Sequence, residues 1–473
     1  MNISAVHISR FLTLAVLAIL LVSAAWSKKP SGGYAGPQTT PVAPIQANAP
    51  LSANDVSWLF PVPTRAADFA NLIAVRDVTT PDPQDPTKRD PIWPDSVFQQ
   101  FLAIVNGAQA QVAGTNAQIS LPAEARSPDA WFIAGIRIDT GAPGLSGDIL
   151  TQYGRLPEIR LIIQTIIRNP DGSPRVLDIA AHLIFDFVVF PPDPPASAEC
   201  FPRFQADMNT FNSVVADVSA LRTKLNSGQL GPHAVSTVGV LLGIYPGLAD
   251  PATANNVRNE MLSFLEKNIS AVRLGSMAIT GLPAKAPAPW IFLSMLGDHP
   301  GHFVPVHGPA LDGAQQFAQM LNPAGTNPRV VPEPHTNNLN PITCKNAAVS
   351  ATSLPVAQRS GVSTSTAFGI PPPSAVQTKQ ILDTIADPTK SFFFNTDCIS
   401  CHTETSRTMD LLKVTDVTGI NPTALPSDQW DVRNFGWGAG NVGMQATVTR
   451  RTANETASVV AFINSEILAK QTH

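Results

Sequence analysis

Two apolar, β-branched runs on either side of a turn-forming sequence constrain this chain more than any other feature. EIRLIIQTII (158 to 167) and VLDIAAHLIFDFVVF (176 to 190) flank Asn169-Pro170-Asp171-Gly172. Runs of that composition, punctuated by residues that fix or free the backbone at a turn, pair as an antiparallel hairpin. WFIAGIRID (131 to 139) reads as a further strand. A second hairpin joins AVRLGSMAIT (271 to 280) to PWIFLSML (289 to 296) across a loop whose prolines exclude a continuous strand. Between the hairpins, near Phe204 to Leu225 and Thr253 to Glu266, apolar residues recur three and four positions apart, the helical spacing. Strands and helices come in blocks and do not alternate. An α+β domain with a largely antiparallel sheet is expected.

At 473 residues the chain is too long for one ordinary core, and two or three domains are expected. Charged residues make up 14% of it, against about 25% in typical proteins, and there are 44 prolines. Long, rigid loops are implied. The net charge of −4 and the lack of a basic cluster beyond the first thirty residues exclude the electrostatic footprint of a nucleic-acid binder. His7 and Arg10 precede an apolar run, Phe11 to Val22, that ends in Ser23, Ala24 and Ala25. This is the pattern of a cleaved export signal over 1–25. Even counted to Trp26 the run has sixteen residues, short of the roughly 20 needed to span a bilayer, so no stable membrane anchor is expected after cleavage. Residues 26–53 read as a disordered leader, 54–321 as the α+β domain, 322–373 as a Pro-rich loop and linker, and 374–473 as a separate C-terminal domain.

That last segment carries Cys398-Ile399-Ser400-Cys401-His402, a C-x-x-C-H motif. Two thiols three positions apart lie on one face of a helical turn and can add to the two vinyl groups of a haem, while the next residue presents imidazole to the iron. A bare motif of this kind also serves as a dithiol redox pair; an export signal favours haem, which is attached outside the cytoplasm. Ser374-Ala375-Val376-Gln377 and Thr452-Ala453-Asn454-Glu455 are capping boxes, and each precedes an apolar-faced segment. Asp387-Pro388 stops the first of these.

In this order of parts, residues 374–473, about a fifth of the chain, resemble the class I cytochrome c family. The resemblance implies an all-α domain with one covalent haem c, Cys398 and Cys401 as attachment points and His402 as proximal iron ligand. Met444, directly behind the loop from Gly438 to Gly443 and before the closing helix, takes the place of the family's distal methionine; Met409 is its rival, close behind His402. The family's proline carbonyl that holds the proximal imidazole has no match in place, since Pro422 and Pro426 come later than the pattern. Trp430, Phe435 and Trp437 read as core residues or crevice lining, and Phe392, Phe393 and Phe394 as haem-packing groups.

Cys200 and Cys344 remain. In an exported chain two leftover thiols pair, and closing so long a loop would stabilise the fold by about 5 kcal/mol; two buried thiols are the alternative. His299, His302 and His307 in DHPGHFVPVHG are candidate ligands for copper, zinc or iron, with surface histidines in an irregular loop as the default. His182 reads as a satisfied core histidine, with Asp186 on its face of the strand. No hydrolase, P-loop or dinucleotide motif occurs. The expected function is extracytoplasmic, periplasmic or secreted, single-electron transfer to or from a redox protein or small donor or acceptor. The alternatives are an oxidoreductase with a second metal at the 299 to 307 histidines and a five-coordinate haem sensor of a small gas.

Overall fold

The computed structural model describes residues 50–82, 85, 87–112, 121–142, 155–189, 205–281, 290–299, 301–305, 315–321, 329–332, 374–390, 398–414, 417–427, 431, 433–440 and 443–472. All of them belong to one compact unit, Ile45–His473.

Among these residues nine strands form one sheet: β1 (Ser57–Leu59), β2 (Trp131–Ala142), β3 (Leu156–Arg168), β4 (Pro174–Asp186), β5 (Leu274–Gly281), β6 (Trp290–His299), β7 (His302–Pro305), β8 (Gln315–Leu321) and β9 (Arg329–Pro332). Their order is β1-β2-β3-β4-β5-β6-β8-β9, with β7 paired to β6, and every pairing is antiparallel. The largest hairpin, β3–β4, turns at Asn169-Pro170-Asp171-Gly172 as its residue types require. Pro170 presets φ for the bend, Gly172 takes φ +81°, the Gly172 N–H donates to Asn169 O at 2.8 Å, and Asp171 accepts from the Ser173 N–H. The second expected hairpin is β5–β6.

Helices α1 (Ala53–Val56), α2 (Asp95–Val112), α3 (Met208–Asn226) and α4 (Ala254–Asn268) precede the C-terminal elements α5 (Ala375–Ala386), α6 (Cys398–Leu412), the hairpin β10 (Phe435–Gly440) and β11 (Gly443–Val448), and α7 (Arg450–Phe462). Helices α2, α3 and α4 cover the apolar face of the sheet. Phe101 of α2 meets Trp131 directly and Phe98 meets it through Trp93, Phe211 of α3 meets Phe187, and Phe264 of α4 stands edge-on to Trp58 at 4.9 Å.

Mixed α+β architecture with an antiparallel sheet is therefore present, but the C-terminal segment is not all-α. The hairpin β10–β11 interrupts its helices, because glycines at 436, 438, 440 and 443 let the backbone lie flat against its neighbours. A Cβ at Gly436 would come within 2.7 Å of Gln164 Oε1, and one at Gly438 within 2.1 Å of Asp431 Oδ2. Nor do these elements fold apart from the sheet. Trp437 Nε1 donates to Phe60 O at 2.9 Å, Asn464 is joined to the Leu51 backbone by two hydrogen bonds, and Ser57 and Thr456 hydroxyls lie 2.9 Å apart. The cap of the closing helix stands three residues before the expected one: Thr449 caps it by accepting from the Thr452 N–H, while the Thr452 hydroxyl donates to Asn434 O. Two other boundaries move. Ordered packing begins within the expected leader, since Leu51 is buried and Ala53 opens α1, and the expected linker contains strand β9. The remainder of the leader and linker, and the export signal, lie outside the described residues.

Candidate functional site

Alternation along the central strands separates two chemistries. Ile159, Leu161 and Ile163 of β3 and Ala181, Leu183 and Phe185 of β4 point to the helices. Glu158, Arg160, Ile162 and Gln164 of β3 and Ala180, His182, Ile184 and Asp186 of β4 point to the C-terminal elements. Register carries this pattern across the sheet, placing Arg137 of β2 opposite Arg160, Asp139 opposite Glu158, Ala278 of β5 opposite His182 and Ser276 opposite Ile184.

The second face is densely ionic. Arg160 holds Glu158 through Nη2 at 2.6 Å and Nε at 2.9 Å. Arg137 reaches Glu455 of α7 at 3.0 Å, and its Nε is a buried donor without a partner among the described residues. Burial opposes ionisation of Glu455, yet Arg451, Arg137 and Arg160 together hold its carboxyl down at about 2. Asp186 shows the reverse: desolvation first, then the Glu158 charge, push its carboxyl up to about 8. Near β10, the buried Arg433 donates to Asp178 from Nε and Nη2 and to Thr280 O from Nη1. Asp431, raised to about 8 mainly by desolvation, accepts from the Arg433 N–H and the Thr447 hydroxyl. Gln164 clamps the hairpin itself. Its Oε1 accepts from the Trp437 N–H at 2.6 Å and its Nε2 donates to Trp437 O at 2.8 Å.

Helix α6 begins at Cys398, so Cys398, Cys401 and His402 occupy its first turn, three and four positions apart, where they share a face. Cys401 and His402 are half-buried, and the six residues that follow, Thr403 to Thr408, are buried. That polar run is fixed by α7: the Arg450 N–H donates to the Thr405 hydroxyl at 2.8 Å, and Arg450 Nη1 lies 3.1 Å from Glu404, itself raised by desolvation. The motif turn is thereby held on the layer that covers the ionic face of the sheet. Arg451, ion-paired with Glu455, also feels the charge of Cys401.

Facing this layer is His182. No hydrogen bond to its imidazole exists among the described residues, contrary to the expectation of a satisfied core histidine, and its side chain is only half-buried although β4 is a central strand. Half-buried neighbours Arg160, Ile184, Asp186, Ser276 and Ala278 surround it. Its pKa is well below the ordinary histidine value, first through desolvation and then through the charges of Arg160, His402, Arg433 and Arg137. His182 is close enough to His402 for the two to interact electrostatically.

Met444 lies on β11 opposite Ala439 and, like Met409, packs half-buried against the apolar cluster. Phe435 and Trp437 are core residues, the Phe435 ring lying over Gly135. Cys200, Cys344, His307, Phe392, Phe393, Phe394 and Trp430 lie outside the described residues, as do the side chains of Cys398 and His299. His302 is exposed and pairs with His299 in the β6–β7 hairpin, whose register shifts between Gly297 and His299, where an irregular loop was expected. No group of three or more His, Cys, Asp or Glu suited to a metal ion occurs among the described residues. No described helix is long and apolar enough to cross a membrane. Sequence reasoning found His182 and Asp186 but gave them no partner; Arg137, Arg433 and Asp431 carry no local signal and Glu455 only that of a capping box, because tertiary folding alone brings them to this face. No protein-family model, curated protein or solved structure matches this chain.

Proposed function

We propose that the chain is an exported c-type cytochrome that carries single electrons through one covalently held haem. The observation that supports this most is the place of Cys398, Cys401 and His402 at the first turn of α6, with His402 near enough to His182 for the two to interact electrostatically. The residues present fit the cofactor. Cys398 and Cys401 would supply the thioether links and His402 the proximal imidazole, while the unpartnered Nε of Arg137 suits a carboxylate edge. When bound, haem supplies an iron centre that changes oxidation state by one electron. The chain's own part is to hold the imidazole of His402 through the anchored Thr403 to Thr408 run, to limit solvent, and to surround the site with fixed charges. The partner is a redox protein or a small donor or acceptor, met outside the cytoplasm.

Expression with haem-attachment machinery tests this directly. Denatured protein is expected to keep a porphyrin after acid-acetone extraction and to gain the mass of one haem, and Cys398→Ala with Cys401→Ala is expected to abolish both. Native chain at its bare mass would overturn the proposal, and a reversible Cys398–Cys401 disulfide in that chain would place the motif with dithiol redox pairs instead.

A further inference from the structure

We infer that His182, on the central strand β4, is the second axial ligand of the iron, so that the site is bis-histidine and Met444 remains a packing residue. The inference rests on the proposed attachment of haem at Cys398 and Cys401 and goes beyond it in naming the sixth ligand. Three observations on different parts of the chain carry it. His182 projects from the ionic face of the sheet toward the layer that bears the motif turn, set in position by its register opposite Ile162 of β3 and Ala278 of β5. Among the described residues its half-buried imidazole has no hydrogen-bond partner, so neither ring nitrogen is committed to another protein group. Met444, by contrast, has an occupation already: it sits on β11 of the C-terminal hairpin and packs with the apolar cluster.

The surroundings agree with a ligand. Arg160, Arg433 and Arg137 lie near enough to His182 to interact with it electrostatically. The same cations would interact favourably with an anionic cofactor. The neighbours of His182 on this face are small: Ala180 lies two residues before it on the same strand and Ala278 directly across. A strand-borne ligand also has a consequence for mobility, because β4 is paired on both sides and cannot shift without disturbing β3 and β5. Two imidazoles in place of an imidazole and a thioether lower the reduction potential.

Haem-loaded full-length chain decides the matter by spectroscopy. The native ferric protein is expected to be low-spin, to lack the long-wavelength sulfur-to-iron charge-transfer band of methionine ligation, and to bind no carbon monoxide when reduced. His182→Ala is expected to turn the iron high-spin and to open it to carbon monoxide, and His182→Gly to regain the low-spin spectrum on addition of free imidazole. Met444→Ala is expected to leave the spectrum unchanged. Rescue by imidazole separates loss of a ligand from loss of fold, and far-ultraviolet circular dichroism of both His182 variants checks the latter. A methionine charge-transfer band in the native protein, or a low-spin His182→Ala beside a high-spin Met444→Ala, overturns the inference while leaving covalent haem standing. Native chain without covalent porphyrin overturns both readings together.

Discussion

The two faces of the sheet answer to different demands, although they belong to the same strands. Under α2, α3 and α4 the face built from Ile159, Leu161, Ile163, Leu183 and Phe185 is dry and fully buried, the arrangement that hydrophobic burial favours without regard to which apolar residue stands where. Under the C-terminal elements the face built from Arg137, Glu158, Arg160, His182 and Asp186 retains partial solvent access at its centre and concentrates charge. Burying ions costs more than burying methyl groups, and an ion pair seldom repays it fully. A strand can keep both chemistries because side chains alternate, so one face stabilises the fold while the other is free to hold a site.

If that division is right, truncation on the two faces of β4 must differ. Phe185→Ala on the dry face is expected to cost about 3–5 kcal/mol in urea unfolding, against about 1 kcal/mol for the half-buried Ile184→Ala beside it. Equal losses would erase the contrast. A smaller effect concerns the clamp between sheet and hairpin. Gln164→Leu leaves the Trp437 N–H and C=O buried without their partners, and is expected to cost about 2–3 kcal/mol while speeding hydrogen exchange at the Trp437 amide. Unchanged exchange there would mean the hairpin is held by its apolar contacts alone.

How far these features were legible follows from how local their causes are. The β3–β4 hairpin could be read because alternation and the Asn169-to-Gly172 turn are written within one stretch of chain, and α3 and α4 because their apolar spacing is. The hairpin β10–β11 was hidden by its glycines, which have low strand propensity and count here for close approach to Gln164 and Asp431. The start of α7 was misplaced because Thr452-Ala453-Asn454-Glu455 matches a capping box, whereas in the fold the Thr452 hydroxyl is committed to Asn434 and Thr449 takes the cap. Helix α2 escaped notice since the residues from Asn106 to Val112 add no apolar face to the pattern begun by Val97, Phe98 and Phe101. The motif turn could be named from spacing alone. His182 as its counterpart could not, since nothing in the strand that holds it points to helix α6.

The ionic face should also make stability depend on pH in a direction the dry face cannot. Asp431 has its carboxyl raised to about 8, so between about pH 4 and 8 the folded chain holds a proton that the unfolded chain has released. Its stabilising contribution is present at the acid end and is lost as pH rises through 8, with a slope of at most about 1.4 kcal/mol per pH unit for one proton. Glu455, held down at about 2, acts oppositely: its contribution is present above its ordinary pKa and is lost as pH falls toward 2. Thermal unfolding followed from pH 4.5 to 8 is expected to show the declining limb, flattened in Asp431→Asn; an identical slope in that variant would remove Asp431 as the cause.

The least effect is expected where the covering layer is joined to its own helix. Thr449 accepts from the Thr452 N–H at 3.4 Å and donates to Asn434 O at 3.3 Å, both long contacts at the first turn of α7. Replacing it by alanine removes the cap and is expected to cost about 1 kcal/mol. The informative quantity is where that loss is felt. Arg450 and Arg451 follow the cap directly and hold Glu404 and Glu455, so a frayed first turn would loosen the support of α6 while leaving the contacts of Phe185 and Leu161 untouched. Hydrogen exchange in Thr449→Ala is expected to rise at the start of α7 and along Thr403 to Thr408, with β3 and β4 unchanged; a rise spread evenly over the sheet would mean that the two faces unfold as one cooperative body and that the covering layer has no separate stability to lose.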